Sequence, residues 1–219
     1  MKIIAINSSP RKARGNTQRV LSPFLEGARE AGAETEIIYL ADKTIKPCRG
    51  CYNCWLKTPG VCVIKDDAAD IFRAIRESDI VVYATPLYVF GMSALMKLLL
   101  DRIMPEALPA IELLDGHTSH PPRHEGPVTK TILLSNCGFY EQDNFDDLVA
   151  HFKTMVRHQR GVFMGALLRT EGEFLPYAEK LMPEKTEAIY QAAREAGRQA
   201  VKRDTIEQSV LFEVAQPLL

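Results

Sequence analysis

Apolar residues fall along this chain in two alternating rhythms: short continuous runs, and runs whose members recur three or four positions apart. Residues 2–7 form a brief Ile-rich run, the pattern of a strand buried on both faces. It breaks into Ser8-Ser9-Pro10-Arg11. Val20, Leu21, Phe24, Leu25 and Ala28 then predict a helix over 17–31, with Gly32 as its stop. A second strand is expected over 35–40. The segment 41–65 shows neither rhythm and reads as an irregular insertion. Asp66 is placed to cap a helix over 67–77 that turns Ala68, Ile71, Phe72 and Ile75 inward. Residues 79–84 predict a third buried strand. Gly91-Met92-Ser93 leads into a helix with Leu95, Leu98, Leu99 and Ile103 inward and Lys97 and Asp101 as an i,i+4 pair.

The stretch 105–127 carries Pro105, Pro109, Pro121, Pro122 and Pro127 and no clear periodicity. It is too long for a plain connection and reads as a functional or subunit-contacting excursion. Strands over 130–135 and 161–168 flank a helix over 145–158, and a last helix is expected over 183–202, opened by Pro183. Strands alternating with helices predict an α/β fold with a five-stranded, parallel, doubly wound sheet. No repeat or low-complexity tract interrupts it. Residues 1–219 are therefore read as a single domain, with 169–219 as a C-terminal helix and tail serving packing or oligomer contacts.

Charge and composition narrow the partners. With 27 basic and 28 acidic residues the chain lacks the basic excess that nucleic-acid binding requires. No apolar stretch reaches the length of a membrane span, and Met1–Pro10 lacks the long apolar core of a signal peptide. A cytoplasmic location is expected. Four of the five cysteines, Cys48, Cys51, Cys54 and Cys62, fall within fifteen positions, which in a reducing compartment points to metal or redox use.

Chemistry is concentrated where strands end. Asn7 to Thr17 joins the first strand to the first helix, and a helix N-terminus offers unpaired N–H groups and partial positive charge to an anion. Ser8, Ser9, Asn16 and Thr17 add short donors; Arg11 and Arg14 add charge. Neither G-x-G-x-x-G nor G-x-x-x-x-G-K-[ST] is present, so a terminal phosphomonoester fits better than a pyrophosphate or a triphosphate with magnesium. A plain βα loop is the bland alternative.

The Ser-Ser-Pro-Arg…Gly-Asn-Thr loop resembles that of the NADPH-dependent FMN reductase group of the flavodoxin-like superfamily. The resemblance continues through Cys48-Arg49-Gly50-Cys51-Tyr52-Asn53-Cys54…Cys62, Asp66-Asp67, Ser78-Asp79, Thr85-Pro86-Leu87-Tyr88 and Met96-Lys97…Asp101-Arg102. In that order the pieces also look like iron–sulfur flavoproteins, over roughly residues 1 to 165. The resemblance implies a flavodoxin-like three-layer sandwich of strand order 2-1-3-4-5, with FMN as cofactor and NAD(P)H as co-substrate. It implies a phosphate end held by Ser9, Arg11, Asn16 and Thr17. The ring lies against Pro86, Leu87, Tyr88, Val89 and Gly91, with Asn136, Cys137 and Gly138 on the far side or the ribityl chain. The far-side loop departs from the glycine-rich loops of relatives. A receiver domain, which shares the topology, is excluded because Asn7-Ser8-Ser9 and Thr85-Pro86 stand where acidic residues would be needed.

The implied activity is an FMN-dependent oxidoreductase passing electrons from NAD(P)H to a quinone, flavin, nitro or azo acceptor. No catalytic acid or base is expected, because the cofactor carries the chemistry. The rival is an electron carrier with a [4Fe-4S] cluster on C-x2-C-x2-C-x7-C, served by a ferredoxin-like donor; zinc and metal-free redox thiols stay open for the same block. A third is a flavin-sensing scaffold without turnover. A homodimer or homotetramer is expected, with flavin pockets partly closed by a neighbour. Trp55 reads as a packing anchor, Cys137 as a small buried filler, His117, His120 and His124 as a solvated loop, and Arg157, His158 and Arg160 as an exposed helix end.

Overall fold

Strands apolar on both faces need cover on both sides, and the helices supply it. The computed structural model describes residues 1–126 and 128–219; Pro127, the last residue of the Pro-rich excursion, lies outside the described residues. The first half contains β1 (Lys2–Asn7), α1 (Asn16–Glu30), β2 (Glu34–Tyr39), α2 (Asn53–Leu56), α3 (Ala68–Arg76), β3 (Ile80–Pro86) and α4 (Ala94–Leu100). The second contains β4 (Glu112–Leu114), β5 (His117–Ser119), β6 (Lys130–Asn136), α5 (Asp146–His158) and β7 (Val162–Arg169). Three helices follow: α6 (Leu175–Leu181), α7 (Pro183–Lys202) and α8 (Gln208–Val214).

The main sheet is parallel, in the order β2-β1-β3-β6-β7. This is the expected 2-1-3-4-5 order, with the β4–β5 hairpin taking two numbers. The interior strands β1, β3 and β6 are buried almost throughout, whereas the edge strands β2 and β7 alternate. Ile3, Ala5, Val82 and Leu134 face the layer of α1, α6, α7 and α8. Ile4, Ile6, Val81 and Leu133 face α3, α4 and α5.

Four sequence expectations need correction. The excursion is not structureless: Glu112 to Ser119 form an antiparallel hairpin around Asp115-Gly116. Three-residue strands carry too little alternation to register in a sequence pattern. The segment after β7 folds as three helices where one helix and a tail were expected. The cysteine insertion contains the one-turn helix α2, and β3 and β6 run on to Pro86 and Asn136.

The segment beyond α8 is tied back by a buried charge network. Arg169, fully buried at the end of β7, donates to the Val214 and Gln216 carbonyls at 3.0 and 2.5 Å. It also donates to the Glu171 carboxylate at 3.2 Å, and Glu171 accepts the Leu218 and Leu219 amides at 2.7 and 3.0 Å. These bonds matter to the site because they shape the loop 170–173.

A second network joins three helices. Glu179 on α6 accepts from Arg19 on α1 and, at 2.7 Å, from the Tyr190 hydroxyl on α7. Burial alone would raise the Glu179 pKa, but the hydrogen bonds from Tyr190 and Arg19 outweigh it and hold the carboxyl below the usual glutamate range. A depressed folded-state pKa means stability that is present above the ordinary value, about 4.3, and is lost as pH falls through the lowered one. Glu179→Gln should therefore melt below wild type at neutral pH, and the gap should close under acid. Melting curves of both proteins across pH 2 to 7, about two units either side of the ordinary value, check the sign.

Candidate functional site

The carboxyl ends of β1, β3 and β6 meet at the point where neighbouring connections leave to opposite faces, the usual ligand position in an open α/β sheet. The loops there are locked by side chains. Asn7 bridges β1 to α1, accepting the Ser9 amide and donating to Gln18, both at 2.9 Å. Ser93, the N-cap of α4, donates to Ser8 Oγ at 2.8 Å, and its amide donates to Thr85 Oγ1 at 3.0 Å. Thr17 Oγ1 donates to Asn136 Oδ1 at 2.6 Å, tying the first turn of α1 to the end of β6.

A cleft of about 130 Å³ opens among these loops. Ser9, Arg11, Asn16 and Thr17 line one side of it; Pro86, Leu87 and Tyr88 line another; Asn136, Cys137 and Gly138 complete it. Of the positions singled out in the sequence, Ser8, Arg14, Val89 and Gly91 lie outside this lining. Tyr88 and Gly91 exchange both backbone hydrogen bonds, at 2.9 and 3.0 Å, so Val89 and Phe90 form a tight turn at the rim, both at positive φ. Val89 is 95% exposed. Two non-glycine residues at positive φ, one of them β-branched, make this turn a strained feature beside the cleft. Phe90 stacks on Phe139 across the rim, with centroids 6.1 Å apart and planes 7° from parallel.

The polar side of the cleft is built for an anion. Helix α1 begins without a side-chain cap, and Asn16 Nδ2 is buried with no hydrogen-bond partner among the described residues. An orphaned buried donor costs about 1–3 kcal/mol, and at an uncapped helix N-terminus an anion is its natural complement. Sequence reasoning missed Glu173, which also lines the cleft and accepts from Arg11 at 2.6 Å. The signal available was topological: the loop after the fifth strand also ends at the carboxyl edge. What brings Glu173 inward is the Arg169–Glu171 network together with the Gly172 amide, which donates to the Cys137 carbonyl at 2.6 Å. Burial pushes the Cys137 thiol up, so it is a buried wall residue rather than a thiolate nucleophile.

The cysteine block lies apart from this arrangement. Cys48 and Cys51 are exposed, Cys54 is buried on α2, and Cys62 is half-buried. Burial and then the neighbouring Cys62 push the Cys54 thiol up. No three candidate ligands converge on a metal position among the described residues, so the thiols as placed do not fit a cubane cluster or a zinc site. The block is anchored by Arg102 at the end of α4, which donates to Asp66 Oδ2 at 2.6 Å and Oδ1 at 3.1 Å, to the Lys46 carbonyl at 2.8 Å and to Cys62 Sγ at 3.4 Å. The N-cap of α3 is Asp67 rather than the expected Asp66; Asp66 accepts the Ala68 amide from one position earlier, and its buried pairing with Arg102 is the stronger constraint. Two sequence pieces that matched separately, Asp66-Asp67 and Asp101-Arg102, thus meet in space. Trp55 anchors the block as expected, donating to the Met104 carbonyl at 2.8 Å. His117 and His124 are exposed as expected, although His117 belongs to β5 rather than to a loop, while His120 is half-buried against Trp55. Arg157 and Arg160 are exposed, as expected of a helix end, although Arg160 pairs with Glu112 and the half-buried His158 bonds Ser119 of the hairpin.

Comparisons with known proteins agree with this geometry. The family model of NADPH-dependent FMN reductase matches residues 1–116. An iron–sulfur flavoprotein of Methanocaldococcus jannaschii is 43% identical over 105 residues, 48% of this chain and 53% of that protein. The chain spans about half the length of the curated relatives it matches. Among solved structures, the NAD(P)H:quinone oxidoreductase from Methanothermobacter marburgensis superposes with a TM-score of 0.63 at 18% identity, covering 91% of this chain and 96% of that one. An FMN-dependent NADH-azoreductase from Bacillus anthracis, solved in complex with FMN, gives 0.62 at 18% identity, covering 93% and 99%. At such identities the likeness concerns the fold.

Proposed function

Because the chain belongs to the NADPH-dependent FMN reductase family, we propose that it is an FMN-dependent oxidoreductase that carries electrons from NAD(P)H to a small acceptor such as a quinone or an azo compound. One observation carries this reading. Asn16, whose buried side-chain amide has no hydrogen-bond partner among the described residues, lines at the uncapped start of α1 the same cleft as the apolar Pro86-Leu87-Tyr88 wall. An amphiphile with an anionic end and a flat apolar end satisfies both.

The residues present fit FMN. Asn16, Ser9 and the first amides of α1, that of Thr17 among them, would hold the phosphate, with Arg11 as a flexible cation at the mouth. Pro86, Leu87 and Tyr88 would wall the ring, and Asn136 and Gly138 would border the chain between. Bound there, FMN supplies two-electron chemistry between a reduced nicotinamide and an acceptor. The protein's part is to hold and orient, and no side chain is assigned a proton-transfer role. The enclosed cleft is smaller than an ordinary cofactor pocket of about 300–1,000 Å³. The exposed rim of Tyr88, Val89, Phe90, Phe139 and Tyr140 supports closure by a second copy, as a homodimer or homotetramer. Among the described residues no helix is long and apolar enough to cross a membrane, and the unpaired thiols support a reducing, cytoplasmic setting.

The purified chain should bind one FMN and prefer it to riboflavin by at least about tenfold, the effect of one charge-assisted hydrogen bond of about 1.5–3 kcal/mol. The bound flavin should bleach on adding NADH or NADPH. Absence of both FMN binding and bleaching would reject the proposal.

The spacing of the four cysteines and the names of the curated relatives favour a second reading, an iron–sulfur flavoprotein electron carrier with a ferredoxin-like donor. Iron and sulfide analysis of anaerobically purified protein tests it. No step is derived through a cluster, because the thiols as placed do not converge.

A further inference from the structure

We propose that the amino edge of the sheet carries a second ligand site, a half-open cavity that takes a flat, uncharged aromatic molecule. This cavity measures about 730 Å³, within the usual range of small-molecule pockets. Thr129 and Arg160, which line it, stand just before β6 and β7, whereas the flavin cleft is lined by Pro86 and Asn136 at the far ends of their strands. No residue lines both, so the two sites are separate. The proposal does not rest on the flavin reading.

Its floor is apolar: Phe72 and Ile75 from α3, Met155 from α5 and Tyr83 from β3. The described part of the Pro-rich excursion, 105–126, covers one side, and polar contacts hold it at its margins. Trp55 Nε1 donates to the Met104 carbonyl at 2.8 Å; Arg123 donates to the Pro105 and Ala107 carbonyls at 2.8 and 3.1 Å; Ser119 Oγ donates to the His158 carbonyl at 3.4 Å. A strap anchored in this way keeps the apolar space beneath it from collapsing.

The lining also sets the chemistry of the occupant. Both guanidinium groups at the wall are already matched, Arg76 to Glu106 at 2.6 Å and Arg160 to Glu112, so an anionic ligand would have to break an ion pair. The aromatic lining, Trp55 beside His120 with centroids 4.7 Å apart together with Phe72 on α3, suits a planar ring system. His120 and His158 use Nδ1 on Ala110 O and Ser119 Oγ. With Nδ1 donating there, their Nε2 atoms make no hydrogen bond among the described residues and offer acceptors for a hydroxyl on the ligand.

Trp55 is the only tryptophan, which makes the site readable. The probe is 6-bromo-2-naphthol, neutral and planar, whose heavy atom quenches indole emission near contact. Equilibrium dialysis should show one saturable site per chain, with affinity unchanged within about twofold by saturating FMN, and with Trp55 emission falling in step. Ala107→Phe and Ile75→Phe, which fill the cavity from the excursion and the floor, should each weaken binding by tenfold or more while FMN binding persists. Displacement of the probe by FMN, saturation without Trp55 quenching, absence of saturable binding, or full binding in either filled variant would overturn the proposal. If neither variant folds, FMN independence together with Trp55 quenching in the wild-type chain decides.

Discussion

Asn16→Asp should reduce FMN affinity by about a hundredfold or more while moving riboflavin affinity less than about threefold. The two side chains are nearly the same shape, but the substitution exchanges the orphaned donor for an acceptor and adds negative charge where the phosphate must sit. The lost hydrogen bond to a charged group is worth about 1.5–3 kcal/mol, and repulsion between like charges adds to it in a site where Asn16 is 2% exposed. Asn16→Ala removes the donor without the charge and should fall between wild type and Asn16→Asp. Glu173→Gln should move affinity the other way, by a few fold, because its carboxylate competes with the phosphate for Arg11. Isothermal titration with FMN and riboflavin separates these outcomes. Equal losses for both flavins would mean that Asn16 shapes the cleft and does not meet the phosphate.

Gly197→Ala is expected to destabilise the fold by about 3 kcal/mol, the upper end for overpacking, and to lower the melting temperature by about 6–12 °C. Helices α1 and α7 cross backbone to backbone. A Cβ on Gly197 would sit 2.9 Å from the Ala28 nitrogen and closer still to the Phe24 carbonyl oxygen. One on Gly27 would sit 2.7 Å from the Arg194 carbonyl carbon. Backbone atoms cannot rotate aside, so the helices must separate along a face that buries Phe24, Ala28, Ala193 and Ala196. The double variant should cost less than the sum of the two, because one separation makes room for both methyl groups. FMN binding should survive at low temperature, since the start of α1 is held independently by the Thr17–Asn136 bond. Thermal melts of the single and double variants check this; a change under 1 °C would show that the crossing is not tight.

Much of the architecture could be read in advance from local pattern. β1 and β3 are interior strands, so they must be apolar on both faces, and such runs are visible without knowing their neighbours. The loops after β1, β3 and β6 were legible as a site because parallel topology forces their carboxyl ends to one edge, so residues as far apart as Thr17 and Asn136 could be assigned to one cleft. The β4–β5 hairpin and α6 were not legible, being too short to show a period of their own.

What the sequence determined by itself was the alternation of elements, the parallel sheet and the polar and apolar loop chemistry at its edge, because each is written in neighbouring residues. What only the tertiary structure decided depends on groups far apart in the chain. Glu173 reaches Arg11 across 162 positions, Arg102 closes on Asp66 across 36, and two glycines let α1 and α7 touch. The missing partner of Asn16 and the space under the Pro-rich strap are likewise properties of packing: a donor is orphaned, and a cavity exists, only once every surrounding atom has taken its place.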